Sequence, residues 1–122
     1  MTTKTKNLSD GTSVVTQYNE NKTKVSSAEH NAENQKHGTE RGFFEDGETV
    51  NWKTEYVNGE KHGESTLYRK DGTIEAREHY KNNKLHGTAT VYGKDGKEQS
   101  KAEYVNGEIT ENKEAENTNK DA

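Results

Sequence analysis

The sequence predicts an all-β protein: an antiparallel β-meander of about four β-hairpin repeats forming a curved open sheet or half-barrel. Three observations carry that expectation. A phrase recurs with a period of 24–25 residues. Each recurrence holds two turn signals, with segments of strand length between them. And the 122 residues include no proline, as a chain made of backbone ladders requires.

The repeat reads as follows. YVNGEKHG at 56–63 returns as YKNNKLHG at 80–87 and as YVNGE at 104–108. The pairs His37-Gly38, His62-Gly63 and His86-Gly87 keep the same spacing, and an aromatic follows each: Phe43, Tyr68, Tyr92. Next come Asp46-Gly47, Asp71-Gly72 and Asp95-Gly96, and then Tyr56, Tyr80 and Tyr104. Tyr18 opens an earlier, degraded unit, with Asn21-Lys22 in place of the Asp-Gly pair and Asn31 in place of the second aromatic.

The turns follow from backbone chemistry. Asn58-Gly59, Asn82-Asn83 and Asn106-Gly107 suit type I′ hairpin turns, whose two central residues both need positive φ. The Asp-Gly pairs mark the opposite edge of the sheet. Strand alternation then assigns faces. Steps of two back from Tyr56 reach Thr54, Trp52 and Val50; from Tyr80 they reach Glu78, Ala76 and Ile74. One face is thus expected to carry a tyrosine ladder with Trp52, Val50 and Ile74. The glycine after each histidine is expected to bulge and reset the alternation. Residues 13–108 form the repeat domain. Residues 1–12 and 109–122 lack the period and read as disordered tails, the second one acidic.

Composition sets the bounds. Hydrophobic residues make up 24% of the chain, and only 14 residues are Leu, Ile, Val or Phe. That is close to the signature of a disordered chain, but the net charge of -4 is small and the aromatics are periodic. The absence of cysteine excludes disulfides and thiolate sites. No apolar run approaches a membrane span, and MTTKTKNLSDG holds no leader-like apolar segment, so a cytoplasmic protein is the expectation. No basic stripe offers itself to a phosphate backbone, and direct nucleic-acid binding is not expected.

The phrase Tyr-x-Asn-Gly-x-x-His-Gly, a second aromatic, Asp-Gly and the next Tyr resembles the bacterial variant of the MORN repeat, over roughly residues 31–108. Trp52 does not sit at the tryptophan position of the standard MORN pattern. The bacterial variant is similar to antitoxin and immunity proteins. The resemblance therefore implies a non-enzymatic module that binds a protein, such as a toxin, effector or nuclease.

The remaining residues agree with that class. His37, His62 and His86 lie two strands apart in successive repeats, about 10 Å. Zinc ligands bind at about 2 Å, so these histidines do not share one ion and are read as shaping turns. His30 and His79 are read as one repeat position on the solvated face, shared with Glu55 and Glu103. No nucleophile motif surrounds any serine, and no catalytic, cofactor or metal site is expected. The candidate partner surface is the aromatic face: Trp52, Tyr56, Tyr80 and Tyr104. The competing reading makes the tyrosines the sheet's own core. Two alternative functions stand beside an inhibitor of the antitoxin type. One is a structural repeat that self-associates along its strand edges. The other is a phage-encoded inhibitor of a defence nuclease.

Overall fold

The computed structural model describes residues 1–114. The chain forms eleven strands: β1 (Thr2–Asn7), β2 (Ser13–Tyr18), β3 (Lys24–His30), β4 (Lys36–Phe43), β5 (Val50–Val57), β6 (Glu60–Tyr68), β7 (Ile74–Lys81), β8 (Lys84–Leu85), β9 (Gly87–Tyr92), β10 (Glu98–Val105) and β11 (Glu108–Glu114). They pair in sequence order into one antiparallel sheet, with β8 and β9 both alongside β7. β1 and β11 do not meet, so the sheet is open. The described residues include no helix, and none that is long and apolar enough to cross a membrane.

Turn chemistry builds this meander. At Asn58-Gly59 both residues have positive φ, 47° and 89°. Asn82 and Asn83 do the same at 51° and 71° without a glycine, as asparagine tolerates. At the other edge the loops at Asp10-Gly11, Asp71-Gly72 and Asp95-Gly96 share one pattern, and the loop at Asp46-Gly47 is one residue longer. Arg69 N–H donates to Thr73 O at 2.8 Å, and Gly72 N–H to Arg69 O at 2.9 Å. The Asp71 carboxylate accepts from the Thr73 N–H at 2.9 Å and from its hydroxyl at 2.6 Å. Those two bonds hold its carboxyl below the usual range, and Asp46 is lowered in the same way by Thr49 and Glu48. The degraded unit folds likewise: Lys22, at φ 62°, takes the place of the glycine.

Three sequence expectations change. The tail assigned to residues 1–12 contains β1, which pairs with β2 from Thr2↔Tyr18 to Asn7↔Ser13. The tail assigned to 109–122 begins as strand, since β11 pairs with β10 to Glu114; residues 115–122 lie outside the described part. Both segments lack the repeat's aromatics, so periodicity missed them, yet each has a turn and a ladder partner. Residues 13–108 hold the four two-strand units expected, and the meander continues by one strand beyond each end.

The third change concerns faces. Val50 pairs with Phe43, but Trp52 pairs with Gly42, two steps on one strand against one on the other. This bulge at Asn51 puts Val50 on the face opposite Trp52. The same irregularity puts Ile74 beside Tyr68 and Glu98 beside Tyr92. The bulge expected at the His-Gly pairs is also present. Thr54↔Ser65 is followed by Tyr56↔Lys61, which leaves three residues of β6 around Gly63 unmatched across that hairpin. His30 pairs with Lys36 as Tyr56 does with Lys61, so His30 occupies the tyrosine position and does not share a position with His79.

One sheet offers almost no interior. Ala28 is the only buried apolar residue among those described, beside buried Ser13, Thr54, Thr66 and Thr90. Neighbours on the same face supply the cover. Thr66, 2% exposed, lies between Lys53 and Arg77 in the cross-strand register. Long side chains lay their aliphatic stems over short ones.

Candidate binding surface

Register places Trp52, Tyr56, Tyr80 and Tyr104 on one face of the sheet. Each tyrosine stands opposite the glycine of a His-Gly pair: Tyr56 opposite Gly38, Tyr80 opposite Gly63 and Tyr104 opposite Gly87. Lysines cap two of the rings, with Lys36 Nζ 5.2 Å from the Tyr56 centroid and Lys61 Nζ 4.9 Å from that of Tyr80. Both contacts are within cation–π range. Burial, with the Glu40 charge behind it, pushes the Tyr56 phenol up to about 12. Burial and then Glu78 raise Tyr80 as well.

Beside this ladder runs an apolar row. The pairs Gly42↔Trp52, Trp52↔Leu67, Leu67↔Ala76 and Ala76↔Val91 set it across five strands, β4 to β7 and β9. Leu67 is 38% exposed and Val91 42%. Trp52 is half-buried on Gly42: a Cβ there would lie 2.7 Å from the indole Cζ2 and closer to Nε1. Leu67 and Val91 are the members that sequence reasoning left out of the candidate surface. Plain alternation from Tyr56↔Lys61 already puts Leu67 on this face, and the bulge at His62-Gly63 sets it opposite Trp52.

The opposite face is charged at its centre. Arg41, Lys53, Arg77 and Lys101 share one row with Thr66 and Thr90 between them. Thr88 donates its hydroxyl to the Glu103 carboxylate at 2.7 Å, and Glu64 accepts from the Thr66 hydroxyl at 3.1 Å. Toward the Asp-Gly edge the bulges gather Phe43, Val50, Tyr68, Ile74 and Tyr92 on this side. There Arg69 donates to three backbone carbonyls, Tyr92 O at 2.6 Å, Ile74 O at 3.0 Å and Gly93 O at 3.4 Å.

The histidines act on shape. His37 Nδ1 accepts from the Asn58 N–H at 3.1 Å, and His86 Nδ1 from the Asn106 N–H at 3.4 Å. Each histidine thus fastens the turn of the next hairpin. At the middle repeat Asn83 does this work instead: its side chain accepts from the Lys61 N–H at 2.8 Å, and its own N–H donates to Lys61 O at 2.9 Å. Among the described residues no three His, Asp or Glu side chains gather as a metal site.

No family model and no curated protein matches the chain. Solved structures similar to it include a point mutant of S. aureus TarM in complex with Fondaparinux, alpha-GlcNAc-glycerol and UDP, with a TM-score of 0.55 at 11% identity. A second structure of TarM gives a TM-score of 0.53 at 11% identity. In each case 90% of this chain is covered, but only 21% of the TarM chain. The chain thus spans about a fifth of those structures. At that identity the likeness shows a shared sheet fold alone.

Proposed function

We propose that this chain is a non-enzymatic protein-binding repeat module, an inhibitor of the antitoxin or immunity type that covers a partner's working surface. The observation that carries this reading is the row Trp52–Leu67–Ala76–Val91, which no described residue of the chain covers as a second layer. Sheets normally bury an apolar face against another layer. Here the missing layer is assigned to the partner. Tryptophan and tyrosine dominate binding hot spots, and the tyrosine ladder adjoins the row. The resemblance to the bacterial MORN variant supports the same class.

The test is affinity capture from the native host, identification of the partner, and titration of the purified pair. Leu67→Asp with Val91→Asp is expected to weaken the complex at least about a hundredfold, by placing two carboxylates in a desolvated interface. The chain is also expected to block the partner's activity. A complex unmoved by these substitutions and by Trp52→Ala defeats the assignment of this face.

A further inference from the structure

We infer that copies of this chain join end to end, the outer edge of β1 pairing with the outer edge of β11 to extend one sheet. This goes beyond the proposed partner binding and uses the strand edges rather than the apolar face.

Geometry comes first. Each terminal strand has a ladder neighbour on one side only among the described residues. All six residues of β1 are exposed, and TTKTKN is rich in β-branched threonine. Neither strand contains proline, and β1 pairs with β2 without a register shift. An unblocked edge of this kind is a template for another strand. The sheet has ten positions across it, counting β8 and β9 as one. The number is even, so β1 and β11 run in opposite directions. A second copy that continues the sheet along its own twist therefore lays its β1 antiparallel to β11, with both faces continuous.

Charge then selects the pair. β1 carries two lysines and no acid, whereas the charged residues of β11 among those with described side chains are Glu108 and Glu111. Lys4 and Lys6 lie on the charged face, through Lys4↔Thr16↔Ser27↔Arg41 and the alternate residue. Glu111 pairs with Glu103, and Glu108 with Val105, which puts both on that same face. Thr110 is bulged between them. An incoming strand that follows the β10 register sets Lys4 opposite Glu111 and Lys6 opposite Glu108. Two β1 strands repel each other, and so do two β11 strands, so the unlike pair is selected over both like pairs. The contact is heterologous and has no closure, and open linear chains result.

The experiment is sedimentation and light scattering of the full chain over a concentration series at low salt. The average mass is expected to rise with concentration without a plateau at the dimer, and to fall on adding salt, because exposed pairs are screened. Two charge-reversed variants are expected to remain monomeric over the same range: Lys4→Glu with Lys6→Glu, and Glu108→Lys with Glu111→Lys. All four side chains are exposed, and the contacts that Lys4 makes over the Tyr18 ring at 5.3 Å and Glu111 makes within the chain lie at the margins of the sheet, so both variants are expected to keep the wild-type circular dichroism. Mixing the two variants restores unlike edges and is expected to restore the mass increase. Leu67→Asp is expected to leave assembly unchanged while weakening the partner complex, which separates the two proposals. A wild-type chain that stays monomeric throughout overturns the inference. So does assembly that persists in either variant, or a mixture that stays monomeric.

Discussion

The indole of Trp52 lies across Gly42 on the neighbouring strand, the two residues being direct cross-strand partners. The absent side chain of one is the seat of the other. This is how a sheet with one layer shelters its tryptophan. A Cβ at position 42 would lie 2.7 Å from Cζ2, and Gly42 has no positive φ to complicate the outcome. Gly42→Ala is expected to cost about 1–3 kcal/mol, the usual cost of overpacking. It also lifts the indole into solvent, and urea melts followed by tryptophan fluorescence read both effects. Unchanged stability together with unchanged emission disproves the stacking.

A separate pair isolates backbone conformation from space. Gly72 has φ 90° and nothing within 4 Å of an added Cβ, so Gly72→Ala is expected to cost about 1–2 kcal/mol through left-handed strain alone. Lys22, at φ 62°, occupies the equivalent loop position with a side chain. Lys22→Gly is expected to stabilise by up to about 1 kcal/mol as that strain is relieved. Denaturant midpoints of the two variants should move in opposite directions.

The hairpin order was legible because turn residues are local. Asn58-Gly59 and Asp71-Gly72 name their own φ requirements, and the structure places each at a turn. Tyr56, Tyr80 and Tyr104 were legible as one face for the same reason, through the period of two. Val50 and Ile74 were misplaced because one bulged residue reverses every side chain beyond it, and Asn51 and Glu75 look like any other strand residue. The loop at residues 31–35 was illegible too. It turns where other repeats carry two asparagine or glycine residues, using the Asn31 side chain to hold the Glu33 and Gln35 amides.

The histidines separate by partner. His37 accepts from the Asn58 N–H, whereas no hydrogen bond from the His62 side chain is found among the described residues. His37→Ala is expected to cost about 0.5–1 kcal/mol, at the low end of a hydrogen bond's net worth because the turn is exposed. His62→Ala is expected to change stability by no more than about 0.5 kcal/mol. Equal effects from the two in chemical denaturation reject the capping role.

Alkali tests the tyrosine ladder. The Tyr56 phenol is raised to about 12 from an ordinary 10.0, chiefly by burial and then by Glu40. A raised folded value means that the neutral phenol is the form the fold prefers. Its contribution is complete below pH 10 and is lost as pH rises toward about 12. Ultraviolet titration should show a phenol ionising late, near pH 12. Tyr56→Phe removes that late step and flattens the stability profile over the same window. A titration with no such late step, or one that Tyr56→Phe leaves in place, is the contrary outcome.

Arg69 tests how the repeats act together. With almost no core, one hairpin is coupled to the next through ladders and a few side chains. Arg69 spans the loop between β6 and β7 and the end of β9, donating to Tyr92 O, Ile74 O and Gly93 O. Hydrogen bonds from charged groups contribute about 1.5–3 kcal/mol each when well formed, but the guanidinium is only part-buried here. Arg69→Ala is therefore expected to cost about 1–3 kcal/mol in total. Arg69→Lys should recover little of it, since a single ammonium does not reproduce the fork. Repeat arrays unfold as one unit only while neighbour coupling exceeds the instability of each unit. Loss of this tie is thus expected to broaden the unfolding transition as well as lower its midpoint. Hydrogen exchange reads the same effect locally: amides of β9 and β10 should lose protection before those of β4 and β5 in Arg69→Ala, and together with them in the wild type.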